Sequence, residues 1–163
     1  IKNKASLKTQ KILLDIDEEE EEITVGLVRL VKDVPAHELF YQLNSQNTFN
    51  FSRTADLTYH GNYNDYYFPR FQAFHPDSEL YIHFIANRSS HYLQKKIPQE
   101  LFSGETETMF LLDHSQDVDY IMKTSEPFDD FSLILLPENL LFQIQNFRLS
   151  PFEELYQLIQ YYE

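Results

Sequence analysis

The chain of 163 residues has no cysteine, no tryptophan, two methionines, three glycines and half as many basic residues (13) as acidic ones (26). Each shortage excludes something. Without cysteine there is no disulfide framework, no thiolate nucleophile and no Cys-ligated zinc or iron–sulfur site, and a reducing compartment is the easier home. Gly26, Gly61 and Gly104 lie far apart. No glycine-rich phosphate loop of the P-loop or dinucleotide-binding kind can be built from them, and no serine sits in a nucleophile-elbow motif. The net charge of −13 opposes long-range attraction to nucleic acid or anionic lipid. The short basic cluster Lys2, Lys4, Lys8 and Lys11 is read as part of a ragged terminus. No apolar run approaches the ~20 residues of a membrane helix. The start, Ile1–Gln10, does not begin with methionine and has no apolar h-region of the signal-peptide kind behind it. The expectation is a cytoplasmic protein with neither nucleic acid nor membrane as a partner.

What the chain does have is apolar and aromatic mass: 42% hydrophobic residues, with 14 Phe and 11 Tyr. A single domain of this length buries about two thirds of the surface exposed by its unfolded chain, so a core forms without staples. The six consecutive acids Asp17–Glu22 repel one another and read as a solvated connection. An EF-hand loop completed by Asp15 would need alternating ligands and a turn glycine, which are missing. Residues 1–22 are therefore expected to be a flexible or acidic lead-in, and 23–163 a single domain.

Within that domain Ile23–Val31 is β-branched and apolar, as in a mostly buried strand, with Gly26 marking a bulge or the close approach of another backbone. Ala36, Leu39, Phe40 and Leu43 make one helical stripe. They predict a helix over Pro35–Ser45, with Pro35 in its first turn and Asp33 available to cap it. From Phe49 the period becomes two. Phe49, Phe51 and Arg53 share a face, Tyr59–Asp65 supplies a turn, and Tyr66–Phe74 and Leu80–Ala86 continue a meander through His75–Ser78. Lys95–Gly104 reads as a polar connection. Thr108–Leu112 and Val118–Thr124 are expected to pair as a hairpin around Asp113–Asp117. Phe128–Leu136 is read as a short helix ended by Pro137, and Leu140–Leu149 as a strand. Ser150-Pro151-Phe152-Glu153 reads as a capping box opening a terminal helix with Leu155, Tyr156 and Ile159 on its apolar stripe. The expected fold is α+β, a single mainly antiparallel β-sheet with helices packed on one face. A parallel βαβ pairing of the strands around the first helix stays open.

These elements resemble the IPExxxVDY family, small uncharacterised proteins of Bacteroidota. The resemblance runs through Lys11-Ile-Leu-Leu-Asp15, the strand and helix ending at Leu43-Asn44, Phe51-Ser-Arg-Thr-Ala-Asp-Leu57, and Val118-Asp119-Tyr120 followed by Ile121-Met122-Lys123. It covers most of the chain in order. At the name-giving tripeptide the chain departs, with Leu112-Asp113-His114 in place of Ile-Pro-Glu. The resemblance implies a bacterial, cytoplasmic, single-domain protein and no catalytic residues.

Three groups of residues could carry function. His114, Asp117 and Asp119, with Asp113, pair an imidazole with carboxylates in one loop, which is the raw material for proton transfer or a metal site. The same residue types also serve turn geometry, capping or an arginine partner. His75, His83 and His91 are spaced eight apart. In a sheet two of them could meet an acid around a metal, but the face that His83 shares with Tyr81 and Ile85 favours a satisfied, half-buried histidine. The aromatic run from Tyr59 to Phe84 exceeds what one small face must bury. Tyr63, Tyr66 and Tyr67 are therefore candidates for contact with a protein partner or a second copy. Neither a cofactor nor a metal is implied. A non-enzymatic binding or self-association module is the leading expectation, with a small enzyme or metal-binding protein using the Asp113–Asp119 loop as the alternative.

Overall fold

The computed structural model describes residues 22–95, 107–125, 131, 134–151 and 153–161. Within them the order is β1 (Ile23–Val28), α1 (Ala36–Gln46), β2 (Ser52–His60), β3 (Asn64–His75), β4 (Leu80–Ala86), β5 (His91–Gln94), β6 (Tyr120–Thr124), β7 (Gln145–Leu149) and α2 (Glu154–Tyr161). The expected lead-in, residues 1–22, lies outside the described residues except for Glu22. The strands form one seven-stranded sheet in the order β2-β3-β4-β6-β1-β7, with β5 beside the first half of β3. Every pairing is antiparallel, as expected for a mainly antiparallel sheet. Three strands separate β1 from β2, so the parallel βαβ alternative is not realised.

The meander β2–β3–β4 follows the predicted alternation. Its turns fall at 61–63 and 76–79, where Glu79 takes up a left-handed φ of 55°. The helix also falls where its stripe placed it, with Leu39, Phe40 and Leu43 buried. Its N-cap is Pro35, without a side-chain hydrogen bond, so Asp33 does not cap it. The irregularity expected of β1 is absent, because Gly26 pairs regularly with Met122 and Asn146. Its missing side chain admits other side chains rather than a backbone: an added Cβ would lie 2.6 Å from Ile144 Cγ2 and 3.3 Å from Met122 Cβ.

Later in the chain three expectations change. The hairpin at 108–124 does not form, because β6 lies between β4 and β1 and both its edges are occupied. The backbone at 109–112 instead binds the segment after β4: Ser89 N donates to Met109 O, and Leu111 N to Asn87 O. The predicted strand 140–149 shortens to β7, preceded by a lone bridge of Leu141 to Leu30. The helix predicted over 128–136 lies largely outside the described residues, and those described at 134–136 are neither helix nor strand. The terminal helix begins at Glu154, after a turn in which Glu153 N donates to Ser150 O.

Both faces of the sheet are apolar at its centre, and alternation separates them. On the first, Val28, Phe71, Ala73, Ile82, Phe84, Tyr120 and Met122 pack with Leu39, Phe40 and Leu43 of α1 and with Phe131, Ile134, Leu140 and Leu141. On the second, Val25, Leu57, Phe68, Ile85, Ile121 and Leu149 pack with Tyr156 and Ile159 of α2. The two helices thus belong to opposite faces. The expectation of helices on one face gives way for a physical reason: strands in the middle of this sheet are apolar on both sides, and each side needs cover.

A β-bulge sharpens this division. The β2–β3 register shifts between Thr54 and Leu57. Before the shift odd-numbered residues face α1, as Arg53 does opposite Phe71; after it they face α2, as Leu57 does opposite Phe68. One extra residue reverses the parity of a strand. Phe51, just before β2, and Leu57 within it thus serve different cores.

Candidate functional site

The loop singled out by the sequence is engaged in architecture. Asp117 accepts a hydrogen bond from Arg29 Nε at 2.7 Å, and Arg29 also donates through Nη1 to Gln145 Oε1 at 3.0 Å. Asp119 Oδ2 accepts the Leu30 amide at 2.7 Å, while its own amide donates to Val28 O. Arg29 holds the Asp117 carboxyl below its ordinary range, and desolvation pushes the half-buried Asp119 carboxyl above it. His114 and Asp113 are exposed. The loop is organised by a residue the sequence reading passed over, the fully buried Asn87. Its Nδ2 donates to Ser115 O at 3.0 Å and Val118 O at 2.9 Å, and its Oδ1 accepts from Leu112 N at 2.7 Å. Val118-Asp119-Tyr120 thus closes the loop onto β1 and enters β6 with Val118 and Tyr120 buried.

The three histidines do not meet. His75 Nδ1 lies 2.7 Å from Ser78 Oγ, and His91 stacks on Tyr67 with ring centres 4.5 Å apart. Among the described residues no group of three or more His, Asp or Glu side chains is placed to hold a metal ion. The predicted tyrosine contacts are also largely absorbed by the fold. Tyr66 is buried at 3% exposure, because the even-numbered positions of β3 face the α2 side. Tyr67 is half-buried beneath His91, and half-buried Tyr63 accepts the Lys95 amide on its carbonyl. Within the aromatic run from Tyr59 to Phe84 the exposed rings are instead Phe74 and Tyr81, 46% and 45% exposed and 5.1 Å apart between ring centres.

That pair borders the feature with the most chemical content. On the α2 side, past the end of the apolar cluster, a cavity of about 350 Å³ is lined by Leu57, Arg70, Gln72, Tyr81, His83, Ile85, Lys123, Ser125 and Ile159. Sheet register explains the convergence. Gln72, His83 and Lys123 stand directly opposite one another on β3, β4 and β6, and Arg70 stands one row along, opposite Ile85. With strands ~4.8 Å apart and like-facing residues ~6.8 Å apart along a strand, Arg70 and Lys123 flank His83 from its two sides. The β2 bulge supplies a support: Ala55 O, in the shifted segment, accepts from Arg70 Nε at 3.1 Å. Lys123 Nζ donates to Ile159 O, in the last part of α2, at 3.0 Å. Arg70 is buried, at 8% exposure.

Burial, reinforced by the charges of Arg70 and then Lys123, lowers the pKa of His83 to about 4. The imidazole is therefore neutral near pH 7. Among the described residues its Nδ1 is the one buried side-chain nitrogen or oxygen without a hydrogen-bond partner. Such an orphan is costly and calls for a reason. The sequence carried part of the signal: on the α2-facing side of β3, Arg70 and Gln72 follow Tyr66 and Phe68, so polar residues continue an apolar row.

Comparison with protein-family models, curated proteins and solved structures yields no match to this chain. Among the described residues no helix is long and apolar enough to cross a membrane.

Proposed function

We propose that this protein is a non-enzymatic, cytoplasmic binding module whose ligand is a small molecule seated in the cavity between β3, β4, β6 and the end of α2. The observation that carries the reading is the convergence of Arg70, His83 and Lys123 on one volume of about 350 Å³. Binding sites combine apolar walls with a few convergent polar groups at this scale. An enzyme on the Asp113–Asp119 loop is disfavoured by the engagement of Asp117 with Arg29 and of Asp119 with the Leu30 amide. In this reading the chain belongs with the IPExxxVDY family, and Val118-Asp119-Tyr120 serves construction rather than chemistry.

Native mass spectrometry of the protein exposed to a small-molecule extract of bacterial cells tests the proposal. A retained mass, lost when the exposed rim residue Ser125 is changed to Trp, is expected. No retained mass, or one indifferent to Ser125→Trp, overturns it.

A second reading, self-association, is favoured by the β5 edge, where all four residues are exposed and Leu93 reaches 58%. Sedimentation equilibrium showing a dimer that Leu93→Lys dissociates would support it. A monomer at all concentrations would remove it.

A further inference from the structure

We infer that the ligand is a neutral cyclic amide, with N–H and C=O side by side on one edge of a flat ring, that edge held by Gln72 and His83 and the ring lying along Leu57, Ile85 and Ile159. The inference rests on the binding-module reading and narrows it to one chemistry. The cations of the wall are already engaged by the fold. Arg70 Nε donates to Ala55 O and Lys123 Nζ to Ile159 O, and both residues have further interactions within the protein. They belong to the frame, and no ligand is called on to neutralise them. Their charge does disfavour a cationic ligand.

Gln72 and His83 stand apart from them. They lie directly opposite one another on β3 and β4, which puts their Cβ atoms ~5 Å apart on one face. Among the described residues neither side chain has a hydrogen-bond partner. His83 Nδ1 is enclosed, whereas the imidazole itself lines the cavity. A proton on Nδ1 would be an enclosed N–H without an acceptor and flanked by cations, so a lone pair there costs less. The proton therefore sits on Nε2, in a ring that burial keeps neutral near pH 7. Leaving Nδ1 unpaired has a reason if the ring is turned to present Nε2–H to a ligand.

One donor from His83 and the donor and acceptor of the Gln72 carboxamide define the complement. A cyclic amide is locked with N–H and C=O on the same edge, so it pairs with the carboxamide through two parallel hydrogen bonds. The second lone pair of its carbonyl takes the imidazole N–H. An open-chain secondary amide is trans and turns the two groups to opposite sides, and a carboxylate has no N–H for the Gln72 oxygen. Leu57, Ile85 and Ile159 give the ring a dry wall, and a volume of about 350 Å³ admits a bicyclic one.

Four probes of similar size separate these contributions: 2-quinolinone, its 1-methyl derivative with the carbonyl and no N–H, quinoline with neither, and 2-naphthoate with a charge. Amide NMR spectra of the full chain are followed during titration at pH 7, with Gln72→Met as the principal variant and His83→Phe as a second. Both positions are half-buried, and the amide spectrum of each variant first establishes that it folds. 2-Quinolinone is expected to shift amides around Gln72 and His83 and to bind at least ~10-fold more tightly than either the 1-methyl form or quinoline, the factor that ~1.4 kcal/mol represents. Gln72→Met should weaken 2-quinolinone about 10-fold and leave quinoline unchanged. His83→Phe should weaken both carbonyl compounds.

Equal binding of 2-quinolinone and either quinoline or the 1-methyl form at those amides, or tighter binding of 2-naphthoate, overturns the cyclic-amide assignment and leaves the small-molecule reading standing. So does 2-quinolinone binding that Gln72→Met does not weaken. No shift of those amides by any probe up to millimolar concentration also overturns the assignment, whereas the pocket reading falls only if the mass measurement with Ser125→Trp fails as well.

Discussion

On the α1 side of the sheet Phe40, Phe51, Phe71, Phe84 and Tyr120 make a continuous set of ring contacts, with Phe40 and Phe71 stacked at 3.9 Å, and the segment 134–141 completes the cover. The α2 side begins in the same way, with Leu57, Phe68, Ile85 and Ile121 beneath Tyr156 and Ile159, and then changes to Arg70, Gln72, His83 and Lys123. The difference between the faces lies in what the described strands present to their cover. Each helix is supplemented by another segment, α1 by 134–141 and α2 by Met109, Leu111 and Leu112. The first face stays apolar across β3, β4 and β6 while the second ends in a polar row beside a cavity, so stability lies mainly in the first and chemistry in the second.

Phe84→Ala would break this comparison most severely if it failed to destabilise. It deletes a fully buried ring of the aromatic face, and a loss of about 3–5 kcal/mol in urea unfolding is expected. Next comes Asn87→Ala, which strands the carbonyls of Ser115 and Val118 and the amide of Leu112. A cost of about 2–3 kcal/mol is expected, with faster amide exchange confined to the loop before β6.

The third test uses the pH dependence of stability. His83 binds its proton less well folded, at about 4, than unfolded, at 6.5. Its contribution is therefore fully present above pH 6.5 and is lost as pH falls from 6.5 to 4. For this half-buried group the loss is on the order of 2 kcal/mol after allowance for solvent screening. His83→Gln should flatten that limb of the stability curve. Asp119 has the opposite sign: its folded pKa lies above 3.8, so it disfavours the fold at neutral pH and is relieved as pH falls through that raised value. The smallest effect belongs to Asp117→Asn on the exposed loop, where thermal unfolding at pH 7 should be unchanged within error. Asp117 is lowered by Arg29, so its small contribution exists above 3.8 and fades only in acid.

Local pattern made the β2–β3–β4 meander and α1 legible, because periods of 2 and 3.6 are written in neighbouring residues. The place of β6 was not legible. Val118–Thr124 looks like half of a hairpin with the residues before it, yet Tyr120 pairs with Val28 and Ala86, a choice made by long-range competition for strand edges. Likewise the sequence drew attention to Asp117 and Asp119 because acids cluster there, but the tertiary partners Arg29 and Leu30 decide what those acids do. The face that His83 shares with Tyr81 and Ile85 reads, in sequence, as that of a satisfied histidine. Its orphan Nδ1, and its position between Arg70 and Lys123, required register across three strands.

The insertion of β6 between β4 and β1 also sets a timetable for the chain as it leaves the ribosome. Of the described strands β1 is made first, but its inner neighbour is Tyr120–Thr124 and its outer one Gln145–Leu149. The meander from Ser52 to Gln94 can close from contacts close in sequence, whereas β1 must wait for most of the polypeptide before either edge is paired. During synthesis, therefore, the oldest of the described strands is the last to be shielded. Ile23–Val28 is the segment a nascent-chain chaperone would have most reason to hold.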